Sequence, residues 1–174
     1  PMNLFKNIFN RNYDVQISDP DLAPVRTKIR TSSLQSVELG GYLIGYKKSG
    51  VIHIVKVMHC ANTTAFERKY KFKARYQSYA KEIRKIYIES GGKHRIIGEW
   101  HTHPSLVITP SQKDEDTVWK KKWLNAFFIS GIVTHDPGLM NWDEKGERRT
   151  IQMHVYYYTW GLNKKRRFLK SVNF

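Results

Sequence analysis

Two histidines stand at a spacing that lets both bind one metal ion. His101 and His103 are two residues apart and follow Ile96 and Ile97, an apolar pair that predicts a strand. Because successive side chains of a strand alternate between its faces, both imidazoles share one face, with Cα atoms roughly 6.6 Å apart. That separation is short enough for the two rings to bind the same ion.

A serine and an aspartate complete the set a few residues later. Ser111 and Asp114 are three apart and follow Pro110, which favours a helix start, so both side chains share a helix face. Two imidazole nitrogens and one carboxylate oxygen leave a fourth tetrahedral position for water, which is typical of catalytic zinc. We therefore predict that His101, His103 and Asp114 bind Zn²⁺. The alternative is a surface pair of histidines, with Ser111 and Asp114 only capping a helix.

An acidic residue upstream extends the pattern. Glu38 precedes paired glycines and a short apolar run in residues 38–45 (ELGGYLIG), where glycines allow another backbone segment to approach closely. Together with the downstream spacing H-x-H-x7-S-x2-D, this pattern resembles the JAMM (MPN-plus, or JAB) metalloprotease family across roughly residues 20–160. The resemblance implies zinc held by His101, His103 and Asp114, with Glu38 reaching the water at the metal.

The same resemblance implies a substrate class. Members of the family hydrolyse an isopeptide or peptide bond at the C-terminus of a ubiquitin-like protein. In its size and in the general run of its sequence, the chain also resembles the small bacterial JAMM peptidases of CBASS anti-phage operons. Such peptidases are encoded beside a ubiquitin-activating and conjugating fusion enzyme and a cyclic-oligonucleotide synthase. This implies reversal of a ubiquitin-like conjugation, with the C-terminal tail of the conjugated protein as partner and the synthase as a candidate for it. A JAMM hydrolase that processes sulfur-carrier proteins is the alternative.

The residue types also indicate roles in such a reaction. Zinc lowers the pKa of bound water to about 7, and a nearby carboxylate takes the proton and returns it to the leaving amine. We assign that carboxylate to Glu38. Ser111 is predicted to donate a hydrogen bond to the developing oxyanion. Glu99 competes with Glu38, because it shares a strand face with His101 and is an alternative base or a partner of that ligand.

Composition indicates one folded domain. The chain has 174 residues, of which 40% are apolar and 13% aromatic, which excludes wholesale disorder. We expect an N-terminal extension over residues 1–19, the peptidase domain over 20–160 and a basic C-terminal tail over 161–174.

Cysteine content and hydropathy limit the other classes of site and location. Cys60 is the single cysteine, which excludes an intramolecular disulfide framework and a multi-cysteine zinc site. It follows an apolar stretch and is predicted to be a small buried residue. No apolar run approaches the length of a membrane span and no secretory pattern is visible, so we expect a cytoplasmic protein with no membrane partner.

The charge balance leaves a second kind of partner open. Thirty Lys and Arg residues against 15 Asp and Glu residues give a net charge of +15. Such a field attracts acidic partners and also favours weak nucleic-acid binding. Aromatic residues lie among basic ones in residues 68–76, and Phe168 follows the basic run 164–167, which suits stacking on bases but equally a protein-binding strand or solvated surface. A basic nucleic-acid-binding protein therefore remains an alternative to an enzyme.

Strands and helices alternate along the predicted domain. Periodicity and turn residues predict strands over 38–46, 51–60, 94–101, 127–133 and 150–160, and helices over 74–89 and 111–122, with loops or edge segments over 61–73 and 135–149. Residues 20–35 lack a clean period, and the family resemblance implies a helix there. This order predicts an α/β sandwich with a mixed, largely antiparallel sheet flanked by helices, the JAMM/MPN (cytidine-deaminase-like) fold that the resemblance implies.

Overall fold

The computed structural model describes seven stretches of the chain and arranges them around one sheet. These stretches are residues 13–33, 38–60, 76–103, 107–120, 127–135, 151–160 and 165–174. The strands are β1 (Asp14–Ile17), β2 (Gly40–Lys48), β3 (Val51–Val57), β4 (Arg95–Thr102), β5 (Phe127–His135), β6 (Ile151–Thr159) and β7 (Lys165–Asn173). The helices are α1 (Leu22–Ser33), α2 (Tyr76–Glu89) and α3 (Gln112–Trp119).

The sheet is mixed and largely antiparallel. Its strands lie in the order β1-β3-β2-β4-β5-β6-β7. Strands β1 and β3 run parallel, as do β4 and β5, whereas the other neighbours pair antiparallel. This confirms the predicted α/β class. Strand β4 lies at the centre, so a side chain at its end is surrounded by β2 on one side and β5 on the other.

Helices cover both faces of the sheet. On one face, α1 packs through Val25 and Ile29 into the largest hydrophobic cluster, which includes Trp100 of β4. On the other face, α2 buries Ile83 in a second cluster and α3 buries Val118 in a third. Because neighbouring residues of β4 point to opposite faces, His101 lies on the face that α2 and α3 cover.

Local sequence explains where the elements turn and end. Ser49 and Gly50 join β2 to β3 with φ angles of 49° and 80°, which is the pattern of a two-residue type I′ hairpin turn. Helix α2 ends before Gly91 and Gly92, which have φ angles of 62° and 81°. Glycine adopts this left-handed conformation readily, so the glycine pair ends the helix where the sequence predicted.

Gly41 permits a close contact between two backbone segments beside the end of β4. A Cβ atom at this position would lie 1.6 Å from the carbonyl oxygen of Met58. The segment after β3 runs against the start of β2, where Met58 N donates to Tyr42 O at 2.9 Å and Cys60 N donates to Gly40 O at 2.9 Å. The close approach that the paired glycines predict is therefore present.

Both edges of the sheet extend beyond the domain limits that the sequence suggested. Residues 165–173 were expected in a basic tail, but they form β7, paired with β6 along its length. Residues 14–17 were expected in an extension, but they form β1, paired with β3. The two edge strands also meet each other, since Lys170 Nζ donates to Asp14 Oδ1 at 2.6 Å. Edge strands often contain charged residues and alternate only weakly between apolar and polar residues, so the sequence pattern did not predict either strand.

The remaining element predictions hold with small shifts at their ends. Helix α3 ends at Trp119 rather than at residue 122, and β5 continues to His135, the first residue of the predicted loop. The predicted loops over 61–73 and 136–149 lie outside the described residues. Within the described part of the chain, no helix is both long and apolar enough to cross a membrane.

Replacement of Gly41 by alanine tests the backbone contact. We expect G41A to lower the free energy of unfolding by about 3 kcal/mol, because its Cβ meets a backbone carbonyl that cannot move aside. The matched control is Gly131→Ala in β5, whose Cβ meets only the flexible side chain of Met153 and should cost about 1 kcal/mol. Chemical denaturation measures both, and equal losses would contradict the assignment.

Candidate metal centre

Backbone hydrogen bonds hold the end of β4 between its two neighbours. Thr102 N donates to Leu39 O at 2.7 Å, and Leu39 N donates to Thr102 Oγ1 at 2.8 Å. On the other side, His103 N donates to Val133 O at 3.0 Å. Trp100 is fully buried on the opposite face, where its Nε1 donates to Met58 O at 3.0 Å. These contacts leave both imidazoles on the face that α3 covers.

The first turn of α3 fixes the third residue of the set. Ser111 is the N-cap residue, and its hydroxyl accepts from Asp114 N at 3.3 Å. In return, Asp114 Oδ2 accepts from Ser111 N at 2.7 Å and from Ser111 Oγ at 2.6 Å, which completes a capping box. The capping role that the sequence left as an alternative is therefore present, and the same carboxylate also faces the two histidines.

The three side chains converge on one point. Their ligand atoms all lie within 4.8 Å of one another. His101 Nε2 lies 3.0 Å from His103 Nε2 and 3.4 Å from Asp114 Oδ1, while His103 Nε2 lies 3.5 Å from Asp114 Oδ2. In tetrahedral zinc sites, ligand atoms about 2.1 Å from the ion lie roughly 3.3 Å from one another. The donor set therefore fits zinc in both chemistry and spacing.

A backbone carbonyl sets the orientation of His103. Its Nδ1 lies 2.6 Å from the carbonyl oxygen of Val107, an acceptor that requires the proton to be on Nδ1. Nε2 of the neutral ring then keeps its lone pair and points at His101 and Asp114. Histidine ligands in metal sites commonly donate their other ring N–H in this way.

The electrostatics of the site favour an ionised carboxylate. Burial alone would raise the pKa of Asp114, but hydrogen bonds from His101, His103 and Ser111 and the charge of His101 lower that pKa well below its ordinary value. Burial likewise opposes the charged form of His103. Its bonds to Asp114 and the Val107 carbonyl, and the charges of Asp114 and Glu38, nevertheless raise its pKa. The three groups therefore form a site that favours positive charge, which a divalent cation would supply.

Glu38 and Glu99 occupy different surroundings. Gly40 pairs with His101, and the bonds between Leu39 and Thr102 continue that register, so Glu38 lies opposite His103. The charge of Glu38 is accordingly among those that His103 senses.

Glu99 lies farther down β4, where Tyr42 and Ser130 are its cross-strand neighbours. Burial raises the pKa of Cys60 to about 12 and also raises that of Tyr158, and the charge of Glu99 adds to both shifts. Cys60 is buried, as the sequence predicted, and its raised pKa keeps the thiol protonated at neutral pH.

The structure thus brings His101, His103, Asp114, Ser111 and Glu38 to one place, at the end of β4 and the start of α3. Sequence reasoning missed the Val107 carbonyl and the pair of hydrogen bonds between Leu39 and Thr102. The first contact uses a backbone oxygen, and the second uses backbone atoms together with the Thr102 hydroxyl, so residue type gives little signal for either.

Comparison with known proteins agrees with this geometry. A family model described as "Prokaryotic homologs of the JAB domain" matches residues 22–147, which is more than half of the chain. The chain belongs to this family. The match runs from the start of α1 past the end of β5, so it includes every residue of the candidate metal centre.

A curated relative adds a functional name. The JAB-domain protein is 26% identical over 145 residues to the "CD-NTase/cGAS isopeptidase" of Escherichia coli (strain TW11681), which covers 80% of this chain and 83% of that protein. The family resemblance that the sequence motif indicated is therefore confirmed. Family and relative together support a hydrolase.

Ser111 offers a test of how the JAB-domain protein holds Asp114. We expect Ser111→Ala to weaken zinc affinity by roughly 10- to 100-fold, since the hydroxyl no longer orients the carboxylate. The lost N-cap should also lower the free energy of unfolding by about 1 kcal/mol. Ser111→Thr, which keeps the hydroxyl, is the control. Chelator competition measures affinity, and an unchanged affinity in S111A would show that the hydroxyl does not position the ligand.

Proposed function

We propose that this protein is a zinc-dependent isopeptidase. It cleaves the bond after the C-terminal tail of a ubiquitin-like protein, or of a protein conjugated in a ubiquitin-like manner. The observation that carries this proposal is the convergence of His101, His103 and Asp114 at distances suited to one zinc ion. Membership of the JAB family and the likeness to an isopeptidase support the class of bond.

The name of the curated relative suggests what is conjugated. That protein is named "CD-NTase/cGAS isopeptidase". We propose that this chain likewise releases a CD-NTase from its conjugates in the cytoplasm, that this CD-NTase is the cyclic-oligonucleotide synthase, and that the reaction is part of bacterial anti-phage defence. A narrow, extended tail suits the site, because the side chains of His101, His103 and Asp114 are only 10%, 11% and 24% exposed.

The residues around the ion divide the chemistry between them. When bound, zinc supplies a Lewis acid that activates water at neutral pH and polarises the scissile carbonyl. Glu38, opposite His103 in the strand register, takes a proton from the attacking water and returns it to the leaving amine. Proton return to nitrogen is required, because an unprotonated amide nitrogen is a poor leaving group.

Ser111 has two roles that its single hydroxyl proton must serve in turn. In the structure its hydroxyl donates to Asp114 Oδ2 at 2.6 Å and so orients a ligand. During the reaction the hydroxyl would rotate its proton away from Asp114 and donate it to the oxyanion that develops on the substrate carbonyl. A loss of activity in Ser111→Ala that exceeds the loss of metal affinity would separate the second role from the first.

Removal of the metal tests the proposed class of enzyme directly. We expect the purified protein to cleave an isopeptide-linked conjugate made from a CD-NTase tail and a lysine peptide. A chelator should abolish cleavage and one equivalent of zinc should restore it, because the water is not activated without the ion. Cleavage that survives exhaustive chelation, with metal content verified by atomic absorption, would contradict the proposal.

Paired substitutions decide between the two candidate bases. Glu38→Gln should reduce kcat by roughly 10²- to 10⁴-fold with zinc still bound, because the amide cannot accept the proton. Glu99→Gln is the matched control and should retain most of the activity, since its charge acts on Cys60 and Tyr158 instead. The reverse result, with E99Q inactive and E38Q active, would reassign the base to Glu99.

A further inference from the structure

An exposed apolar surface lies beside the metal centre. Val107, Ile108 and Phe168 are 49%, 46% and 47% exposed, and they are among the five large hydrophobic residues most exposed in the described chain. We call these three residues the apolar patch. Val107 and Ile108 belong to the segment before α3, whereas Phe168 lies on β7, so two distant parts of the sequence contribute to it.

Tyr156 joins the two halves of the apolar patch. Its hydroxyl donates to the carbonyl oxygen of Ile108 at 3.1 Å, and its ring centroid lies 5.3 Å from that of Phe168. Tyr156 itself is buried in the cluster beneath α3. The apolar side chains therefore rest on a fixed support and form one surface.

Arg166 and α3 form the border of the apolar patch. The guanidinium carbon of Arg166 lies 5.7 Å from the ring centroid of Tyr156, and its Nη1 donates to Glu115 of α3. Aromatic residues and arginine are the types that protein interfaces favour at their centres. A surface already ordered in this way loses little side-chain entropy when a partner binds.

The apolar patch is continuous with the catalytic site. The carbonyl of Val107 accepts from His103 Nδ1, so the patch begins at the residue that orients a candidate metal ligand. A protein whose tail reaches His101, His103 and Asp114 has its folded part close to these ligands. The apolar patch is the exposed hydrophobic surface that adjoins them in the described chain.

We propose that the apolar patch binds the folded body of the conjugated protein whose tail is cleaved. This inference rests on the proposed isopeptidase function and names how its substrate is recognised. The partner surface should have an apolar centre with acidic residues at its border. The net charge of +15 supports that chemistry. Strand β7, with the sequence KRRFLKSVN, has four basic residues and no acidic one, and of these Arg166 and Lys170 pair with Glu115 and Asp14 of the same chain.

Two conjugates test the proposal on the zinc-loaded protein. One is a full-length CD-NTase joined through its C-terminus to a fluorescent lysine peptide, and the other is its isolated C-terminal tail peptide joined to the same group. We expect Phe168→Glu to lower kcat/KM for the full-length conjugate by about tenfold or more, mainly through KM. It should leave cleavage of the tail conjugate unchanged, because Phe168 packs on Tyr156, which is not one of the candidate ligands.

Control variants separate a docking role from a folding defect. Phe168→Leu keeps an apolar side chain and should behave nearly as the wild type. Ile88→Glu places the same charge on α2 at a residue that is 62% exposed, and should leave both conjugates unaffected. Ile108→Glu alters the other half of the apolar patch and should reproduce the selective loss. Thermal unfolding confirms that each variant folds.

Each of the other outcomes contradicts a different part of the proposal. Equal cleavage of the full-length conjugate by F168E and wild type would overturn the docking role and leave the isopeptidase function intact. A wild-type dimer that F168E converts to a monomer would assign the surface to a second copy, and loss of DNA or RNA affinity alone would assign it to nucleic acid. If the zinc-loaded wild type cleaves neither conjugate, the proposed function fails, and this inference fails with it.

Discussion

The carboxylate of Asp114 is the contact on which the candidate site depends. Its Oδ2 accepts two hydrogen bonds from Ser111 and so caps α3, while its Oδ1 lies 3.4 Å from His101 Nε2. One side chain thus joins the start of a helix to the end of the central strand. Without the Asp114 carboxylate, the two imidazole nitrogens, which lie 3.0 Å apart, would lose the anion that faces them. The same geometry that ionises Asp114 prepares the three groups to bind a divalent cation.

The fold is arranged so that this contact forms at a fixed place. Strand β4 is central, with β2 and β5 bonded to its end, and Trp100 anchors the opposite face by donating to Met58 O. Gly41 lets the segment after β3 pass close to this junction. Helix α3 buries Val118 against β5 and β6, which fixes the direction from which Asp114 approaches. Packing on both faces therefore positions the ligand atoms, and the exposed surface around them is left for a partner.

The sequence predicted most of the site because side-chain chemistry and spacing carry it. Alternation in a strand puts His101 and His103 on one face, and the i, i+3 relation in a helix does the same for Ser111 and Asp114. The approach of these two pairs to each other is not a local property, and it was expected from the family motif. The support of His103 by the Val107 carbonyl depends on backbone position and has no residue signal. Strands β1 and β7 were also missed, because edge strands tolerate charge and their pairing is determined by distant residues.

X-ray absorption spectroscopy of the zinc-loaded protein tests the central claim most directly. The account predicts one zinc per chain, with two imidazole nitrogens and light oxygen ligands at about 2.0–2.2 Å and no sulfur neighbour. The imidazole scattering should fall by half in His103→Ala. A zinc–sulfur distance of about 2.3 Å, an imidazole contribution that this substitution leaves unchanged, or a protein that takes up no zinc would contradict the account.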